Sequence, residues 1–170
     1  HYLVMTATPI PRTVTMTLFG DLDVSTLTEL PDGRQPVSTY LVEPEKHDRW
    51  WGFVRVRLHE GRQAYVIAPL VDESETISAP SVAQAFEQLT NGQLEAFRLG
   101  LVHGRMSATE KQEAMEQFRE GETQVLVSTS VVEVGVDVPN ATVITVAGAE
   151  RFGLAQLHQF RGRVGRGQHP

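Results

Sequence analysis

Short apolar runs that alternate with amphipathic stretches constrain the fold of this 170-residue chain more than any other feature of its sequence. The predicted strands are the apolar runs at 2–7, 37–42, 64–68, 99–103, 125–128 and 142–146. The stretches between them predict helices near 11–19, 45–59, 81–90, 107–120 and 153–162. Such alternation is typical of β-α-β units, and continuous apolar strands are typical of parallel sheets covered on both faces. We therefore expect an α/β protein with three layers around a mainly parallel central sheet.

The helix predicted over 107–120 carries its own start and stop signals. Ser107 is followed three residues later by Glu110, which is the pattern of a capping box. Gly121 comes after the last turn, where glycine commonly ends a helix. One face of the segment is apolar at helical spacing and consists of Ala114, Met115 and Phe118. This segment is therefore the best supported helix of the sequence.

The composition excludes several classes of site. The chain has no cysteine, so it holds neither a disulfide nor a thiolate metal site. Its six histidines show no spacing typical of zinc ligands, and we expect no metal site among its own residues. No apolar stretch approaches the roughly 20 residues that span a bilayer, and the sequence shows no cleavable signal peptide. We therefore expect a cytoplasmic protein without membrane contact.

Four arginines lie within sixteen residues of an otherwise acidic chain, whose formal net charge is -6. They are Arg151, Arg161, Arg163 and Arg166. Arginine presents a planar fork that matches phosphate oxygens, and the glycines beside Arg163 and Arg166 permit tight turns. On one helix or turn, two arginines spaced three apart can face a common anion, as arginine fingers do in phosphoryl transfer. The alternative is a surface helix whose arginines contact acidic side chains or solvent.

Polar residues follow several predicted strands, and ligands of parallel α/β sheets bind beyond those strand ends. The residues concerned are His103–Arg105, Ser128, Thr129, Gly135 and Asp137. Hydroxyl and backbone N–H groups in such places can bind nucleic-acid phosphates without reading the base sequence. A carboxylate such as Asp137 can accept hydrogen bonds from a ribose, and Gly135 lets the backbone approach closely. Each residue also fits a purely structural role, since glycine makes turns and carboxylates or hydroxyls cap them.

The ordered set of motifs resembles the superfamily 2 helicases. Motifs III, V and VI of that superfamily are similar to Thr6-Ala7-Thr8-Pro9, the VSTSVVEVGVD run and Gln159-x-x-Gly162-Arg163-x-Gly165-Arg166. More narrowly, nearly the whole chain resembles the RecG family of bacterial DNA helicases, in segments such as MTATPIPRT, FGDLDVS, ELPDGRQPV and HGRMS. The transcription-repair coupling translocases share TATPIPRT and RFGLAQLHQ, but FGDLDVS and ELPDGRQPV favour the RecG family. Ser130 and Phe160 depart conservatively from the family pattern.

The resemblance implies two structural units, and we interpret the chain as a fragment of a larger polypeptide. Residues 37–170 would form a second RecA-like lobe, a P-loop NTPase-like α/β domain that is truncated after motif VI. Residues 1–36 would contain the last strand and helix of a first lobe, followed by a linker. A chain of this kind would be the motor lobe of an ATP-dependent double-strand DNA translocase that remodels branched DNA in repair and recombination.

The resemblance also implies roles at a nucleotide site. Arg163 and Arg166 correspond to the arginine fingers that reach the γ-phosphate of ATP. Gln159 would help to position the nucleotide, and Asp137, close to Gly135, would contact its ribose.

Contacts with DNA are implied by the same motifs. The residues expected to touch the phosphate backbone of the tracked strand are Ser128, Thr129, His103, Gly104 and Arg105. Thr6 and Thr8 are expected to couple the nucleotide state to closure of the two lobes.

The sequence contains neither a G-x-x-x-x-G-K-[ST] phosphate loop nor a Walker B motif. The resemblance therefore implies that ATP with Mg²⁺ is bound mainly by the first lobe, and that this chain alone is inactive. Its partners would be branched or forked DNA, that first lobe, and a DNA wedge domain of the same polypeptide. Two alternatives are a docking module derived from a helicase lobe and a Rossmann-type enzyme. The lack of G-x-G-x-x-G after the first strand counts against the latter.

Overall fold

The computed structural model describes residues 35–69, 82–129 and 137–167. All of them belong to one compact unit, residues 33–170. The strand predicted at 2–7 and the helix predicted at 11–19 lie outside the described residues. The boundary predicted between residues 36 and 37 remains a prediction.

Four parallel strands form the sheet, in the spatial order β2-β3-β1-β4. Their bounds are Gln63–Ile67 (β1), Leu99–Val102 (β2), Val125–Ser128 (β3) and Ala141–Val146 (β4). The helices are His47–His59 (α1), Val82–Thr90 (α2), Ala108–Arg119 (α3) and Leu154–Arg161 (α4), with short 3-10 turns at Pro44–Lys46 and Ala149–Arg151. None of the helices in these described ranges is long and apolar enough to cross a bilayer.

Side chains alternate between the two faces of the sheet, and each face has its own core. On one face, Ala64 and Val66 of β1 pack with residues of α1 and α2. On the other face, Tyr65 and Ile67 pack with residues of α3 and α4. The helical residues buried in these cores are Val54, Leu58, Val82, Leu89, Met115, Phe118 and Phe160. The predicted three-layer α/β architecture is therefore confirmed.

A buried glutamine connects the carboxyl end of α3 with the starts of several strands. The Gln63 side-chain amide donates to the backbone carbonyls of Phe118 and Thr123, the second at 2.9 Å. Asn140 donates in turn to the Gln63 side-chain oxygen at 3.2 Å and to the carbonyl of Gly61 at 2.8 Å. Because buried polar groups are costly when unpaired, this network fixes the end of α3 and the start of β4 against β1.

The capping box of α3 is present as predicted. The Ser107 hydroxyl accepts a hydrogen bond from the Glu110 N–H at 3.3 Å. The Glu110 carboxylate accepts hydrogen bonds from the Ser107 N–H and hydroxyl, each at 2.8 Å. The backbone hydrogen bond from Ser107 is the main cause that lowers the pKa of Glu110, because it stabilises the charged carboxylate.

The prediction of a strand over residues 37–42 is wrong. Residues 35–43 have no regular secondary structure, and Tyr40 and Leu41 are exposed at 71% and 90%. Backbone groups at the start of this segment form hydrogen bonds with residues 161–166, the arginine segment, and not with a neighbouring strand. The Gln35 N–H donates to the Gly165 carbonyl at 3.1 Å, and the Arg161 guanidinium donates to the Val37 carbonyl at 2.9 Å.

Removing the cap hydroxyl should weaken α3. We expect Ser107→Ala to lower the free energy of unfolding by about 1 kcal/mol, because the Glu110 N–H loses its acceptor. Urea denaturation near neutral pH measures the change. Ser38→Ala, which removes an exposed hydroxyl outside the helices, is the matched control and should leave stability unchanged. Equal losses in both variants would contradict a specific role for the cap.

The lowered pKa of Glu110 predicts a pH dependence of stability. The pKa of Glu110 in the folded state lies below 4.5, the ordinary value of a glutamate side chain. The charged carboxylate therefore stabilises the fold above that pH. This contribution is lost as the pH falls through the folded pKa. The stability difference between wild type and Glu110→Ala should therefore shrink on acidification below pH 4.5 in urea titrations. A difference that grows in acid would show that the carboxylate is not the stabilising form.

Candidate functional site

Two residues that the sequence predicts at one nucleotide site contact each other directly. The Arg166 guanidinium donates from Nη1 to Oδ1 of Asp137, 29 positions earlier in the chain. Its Nε donates to the carbonyl of Gly162 at 2.8 Å. The side chains are 30% and 58% exposed, so the ion pair lies at the surface and is open to a ligand.

The arginine segment is a turn that follows α4, and the turn sets the direction of both predicted finger residues. After α4 ends at Arg161, the Arg163 N–H donates to the Phe160 carbonyl at 3.0 Å. Val164 is 2% exposed and Phe160 is 3% exposed. These two apolar side chains anchor the segment on the sheet. Arg163 lies between them in the chain and is only half-buried.

Gly165 allows the backbone near residues 35–37 to pack closely against this turn. Its φ is +73°, a left-handed conformation that glycine adopts without strain. A Cβ at this position would lie 2.8 Å from both the Gln35 carbonyl oxygen and the Val37 Cγ2. The lack of a side chain therefore permits the hydrogen bond between Gln35 and the Gly165 carbonyl.

Tyr65 of β1 lies in the core that also buries Val138 and Val164, and no sequence motif pointed to it. The residue is 1% exposed, and its ring packs on Phe118 with centroids 5.0 Å apart. Burial raises the pKa of Tyr65 to about 12; Arg163 and Arg166 lower it, and Asp137 raises it. Its ring belongs to the same buried core as Val138 and Val164, which follow Asp137 and Arg163 in the chain. An aromatic residue within an apolar strand is an ordinary core pattern, so no local signal marked it.

Asp137 is positioned by the turn that leads into β4. It lies four positions before β4, where the Ala141 N–H donates to the Val138 carbonyl at 3.0 Å and closes a turn. Val138 is buried and holds this turn in the same core as Tyr65. Asp137 thus joins the arginine segment through the turn that leads into β4.

The predicted DNA contacts form a separate group at the carboxyl ends of β2 and β3. Val102 and Ser128 are register partners, so the residues after them are neighbours at one edge. Ser128 is 0% exposed and Thr129 is 7% exposed, whereas Gly104 and Arg105 are exposed. The accessible part of this edge is therefore the loop that begins at the half-buried His103.

The remaining predicted site residues are placed only in part. Gln159 lies half-buried on α4, one residue before the buried Phe160. Gly135, Thr6 and Thr8 lie outside the described residues.

The charges at the arginine segment suit an anionic ligand that also carries hydroxyl groups. Two guanidinium groups can bind phosphate oxygens, and a carboxylate can accept hydrogen bonds from a sugar. Within residues 35–69, 82–129 and 137–167, no group of three histidine or carboxylate side chains is placed to hold a metal ion.

Comparison with known proteins places the chain in a family. The helicase conserved C-terminal domain family matches residues 48–168. The chain is 53% identical to the ATP-dependent DNA helicase RecG of Mycobacterium tuberculosis, over 100% of this chain and 25% of that protein. It is 50% identical to RecG of Synechocystis, over 99% of this chain and 20% of that protein. For RecG of Bacillus subtilis the values are 48%, 98% and 24%.

The chain thus spans about a quarter of the length of these relatives. The matched family and the parallel sheet between two helical layers identify the fold as RecA-like.

The packing around Gly165 predicts a difference between two glycines of similar backbone conformation. Gly61 has φ +80° and open space around its Cα, whereas Gly165 has φ +73° and close neighbours. Alanine at either position pays the left-handed strain of about 1–2 kcal/mol. Gly165→Ala also forces the Gln35 carbonyl and Val37 aside, so it should destabilise by about 1–3 kcal/mol more. Urea denaturation of both variants gives the difference, and equal losses would contradict the close approach.

Proposed function

The chain belongs to the family of helicase conserved C-terminal domains, and we propose that it is the second motor lobe of a RecG-type ATP-dependent DNA helicase. The whole protein would use ATP hydrolysis to translocate on double-stranded DNA and to remodel branched or forked DNA. Similarity to RecG proteins of several bacteria along nearly the whole chain supports this proposal.

The observation that carries the proposal is the direct ion pair of Asp137 with Arg166, which lies three positions after Arg163 in the same segment. These three residues come from two segments that sequence motifs assign to one nucleotide site. A docking module has no need to gather two arginines and one carboxylate at a surface turn. An NTP, by contrast, presents phosphate oxygens to the arginines and ribose hydroxyls to the carboxylate.

Arg166 would change partners during the ATPase cycle. It bonds to Asp137 in this structure, and a γ-phosphate would compete for the same guanidinium. Exposed ion pairs contribute only about 0–1 kcal/mol, so phosphate can displace the carboxylate at little cost. Asp137 is then free to accept hydrogen bonds from the ribose, while Arg163 and Arg166 stabilise the charge that develops on the transferred phosphoryl group.

The other parts of the site would come from elsewhere in the polypeptide. We propose that a first RecA-like lobe supplies the phosphate loop and the carboxylates that hold Mg²⁺, since the sequence of this chain contains no phosphate loop. In that arrangement residues 37–170 are the second lobe, residues 1–36 complete the first lobe and link the two, and Gln159 and Gly135 border the nucleotide. A wedge domain of the same polypeptide would separate the strands of a fork.

The exposed loop of His103, Gly104 and Arg105 would grip the DNA backbone. Ser128 and Thr129 lie below it, so a phosphate that reaches them must enter the edge between β2 and β3. Thr6 and Thr8 would transmit the nucleotide state to this grip. Because the proposed substrate is branched DNA and the similar proteins are bacterial, we propose a place in the bacterial cytoplasm, with the nucleoid.

Removing one finger should nearly abolish ATP turnover. In the full-length helicase we expect Arg163→Ala to lower the DNA-stimulated kcat by about 10³–10⁵-fold, because an arginine finger contributes that much. Steady-state ATPase assays with forked DNA measure kcat, and fluorescence anisotropy should show that most of the DNA affinity remains.

Two further variants sharpen this test. Arg163→Lys should not restore turnover fully, because lysine lacks the planar fork. Arg151→Ala removes an exposed arginine of the same region and is the matched control, for which turnover should stay near wild type. If Arg163→Ala keeps more than half of the wild-type turnover, Arg163 is not a finger.

A further inference from the structure

Helix α1 combines aromatic and cationic side chains that neither the arginine segment nor the loop at His103 uses. Its 13 residues include three arginines and a single acid, Asp48, although the whole chain has a net charge of -6. The Asp48 carboxylate accepts a hydrogen bond from the Gln93 amide at 3.1 Å, and Arg55 donates to the Gln93 side-chain oxygen at 2.6 Å. The acid of α1 is thereby held on the side that faces the loop after α2, so the opposite side of the helix is cationic.

Three planar groups form a column along that opposite side. The rings of Trp50 and Phe53 stack with centroids 5.4 Å apart and planes at 29°. The Arg57 guanidinium lies over the Phe53 ring, 5.1 Å from its centroid. Spacings of three and four positions bring these side chains together on one side of a helix. The Trp50 indole N–H donates to the Thr145 hydroxyl of β4 at 3.0 Å, which ties the column to the sheet.

The column is accessible to a partner. Phe53 is 42% exposed and Val56 on the same side is 54% exposed. Trp50 and Arg57 are half-buried, and Arg49 is exposed. An aromatic surface flanked by arginines fits a ligand that has both flat apolar faces and phosphates. Single-stranded DNA has both, because every unpaired base offers a π-face and every nucleotide a phosphate.

The guanidinium on Phe53 is held weakly enough to give way to a base. An exposed cation–π contact changes an equilibrium constant by only about 2–5-fold. The ion pair of Arg57 with Glu60, at 2.9 Å, is also exposed and contributes little. Stacking of a base on an aromatic side chain contributes about 5–150-fold. A base therefore displaces Arg57 from the ring, and the released guanidinium can bind the adjoining phosphate.

We propose that the side of α1 formed by Arg49, Trp50, Phe53 and Arg57 binds single-stranded DNA through base stacking and phosphate contacts. Duplex DNA fits poorly, because its bases stack on one another and present no free face. The site is separate from the predicted nucleotide site, since α1 packs on one face of the sheet and α4 on the other. This inference rests on the proposed function only for the source of the strand, which the remodelling of branched DNA would release.

Tryptophan fluorescence provides the first test, because both tryptophans of the 170-residue chain lie in α1. Oligothymidylate of about 12 nucleotides, a length within the range that single-strand sites cover, should quench the emission when it stacks there. The same strand paired with oligodeoxyadenylate should quench little, and so should inorganic polyphosphate, which has the charge but no base. Equal quenching by polyphosphate would overturn the stacking site. Absence of quenching by oligothymidylate would also overturn it and would leave this side of α1 as a surface for a protein domain.

Removal of the aromatic ring tests the stacking directly. Phe53→Leu keeps an apolar side chain and both tryptophans. We expect the Kd for fluorescein-labelled oligothymidylate, measured by anisotropy, to rise at least about fivefold, with Tm unchanged. Leu154→Ala, which shortens an exposed apolar side chain of α4, is the control and should bind as wild type. A wild-type Kd in Phe53→Leu would overturn the proposal.

A matched pair of arginines tests the phosphate contact without altering a ring. Arg57 and Arg119 each form an exposed ion pair at 2.9 Å with a glutamate three positions away, so both variants to glutamine lose the same charge and the same contact. Arg57→Gln should reduce the slope of log affinity against log salt by about 0.7, the share of one phosphate on a single strand. Arg119→Gln on α3 should leave the slope unchanged. Equal changes in both variants would indicate a diffuse charge effect and overturn the site.

The two proposals fail in different ways. If the full-length helicase hydrolyses no ATP, the proposed function is wrong, whereas binding to α1 is measured without ATP and stands. If Arg163→Ala abolishes turnover but the single strand neither quenches the tryptophans nor depends on Phe53, only the α1 site is wrong.

Discussion

The pairing of β1 on both edges is the constraint on which the rest of the structure depends. β1 lies between β3 and β4, and all five of its residues are buried. Its alternation directs Val66 into one core and Tyr65 into the other. A slip of one residue would exchange these two side chains between the faces. The register of β1 therefore decides what supports both helical layers and what lies under the arginine site.

Apolar burial holds the charged site in place more firmly than its ion pair does. Full burial of a valine contributes about 1.5–3 kcal/mol, and Val138 and Val164 each adjoin a charged residue of the site. The exposed pair of Asp137 and Arg166 contributes at most about 1 kcal/mol. The backbone of both segments is thus firmly anchored, while the ionic contact between them can be exchanged. This division suits a site that must keep its shape while its charged groups change partners.

The separation of the two groups of predicted residues fits the proposed motor. Asp137 and the arginines stand at turns around the amino end of β4 and the end of α4. The loop that begins at His103 lies beyond the carboxyl end of β2. In the proposed motor, the packed sheet would carry a displacement from the arginines to the loop, because a packed core compresses little.

Local patterns were enough to predict most of the elements. The four described strands and all four helices fall where apolar runs and capping signals placed them, since those signals act within about ten residues. The segment at 37–42 has the same apolar character yet forms no strand. Its first residue, Val37, and the nearby Gln35 bond instead to the arginine segment more than 120 positions later.

The chemistry at the site divides in the same way. The sequence by itself determined which residue types stand in the motifs, including Arg163, Arg166 and Asp137, because a motif is a property of order and spacing. Only the tertiary structure decided that Asp137 meets Arg166 and that Tyr65 shares a core with Val138 and Val164 of the two segments. These residues are far apart in the chain, and nothing local ties them together. They meet because parallel strands and buried valines bring distant segments onto one face of the sheet.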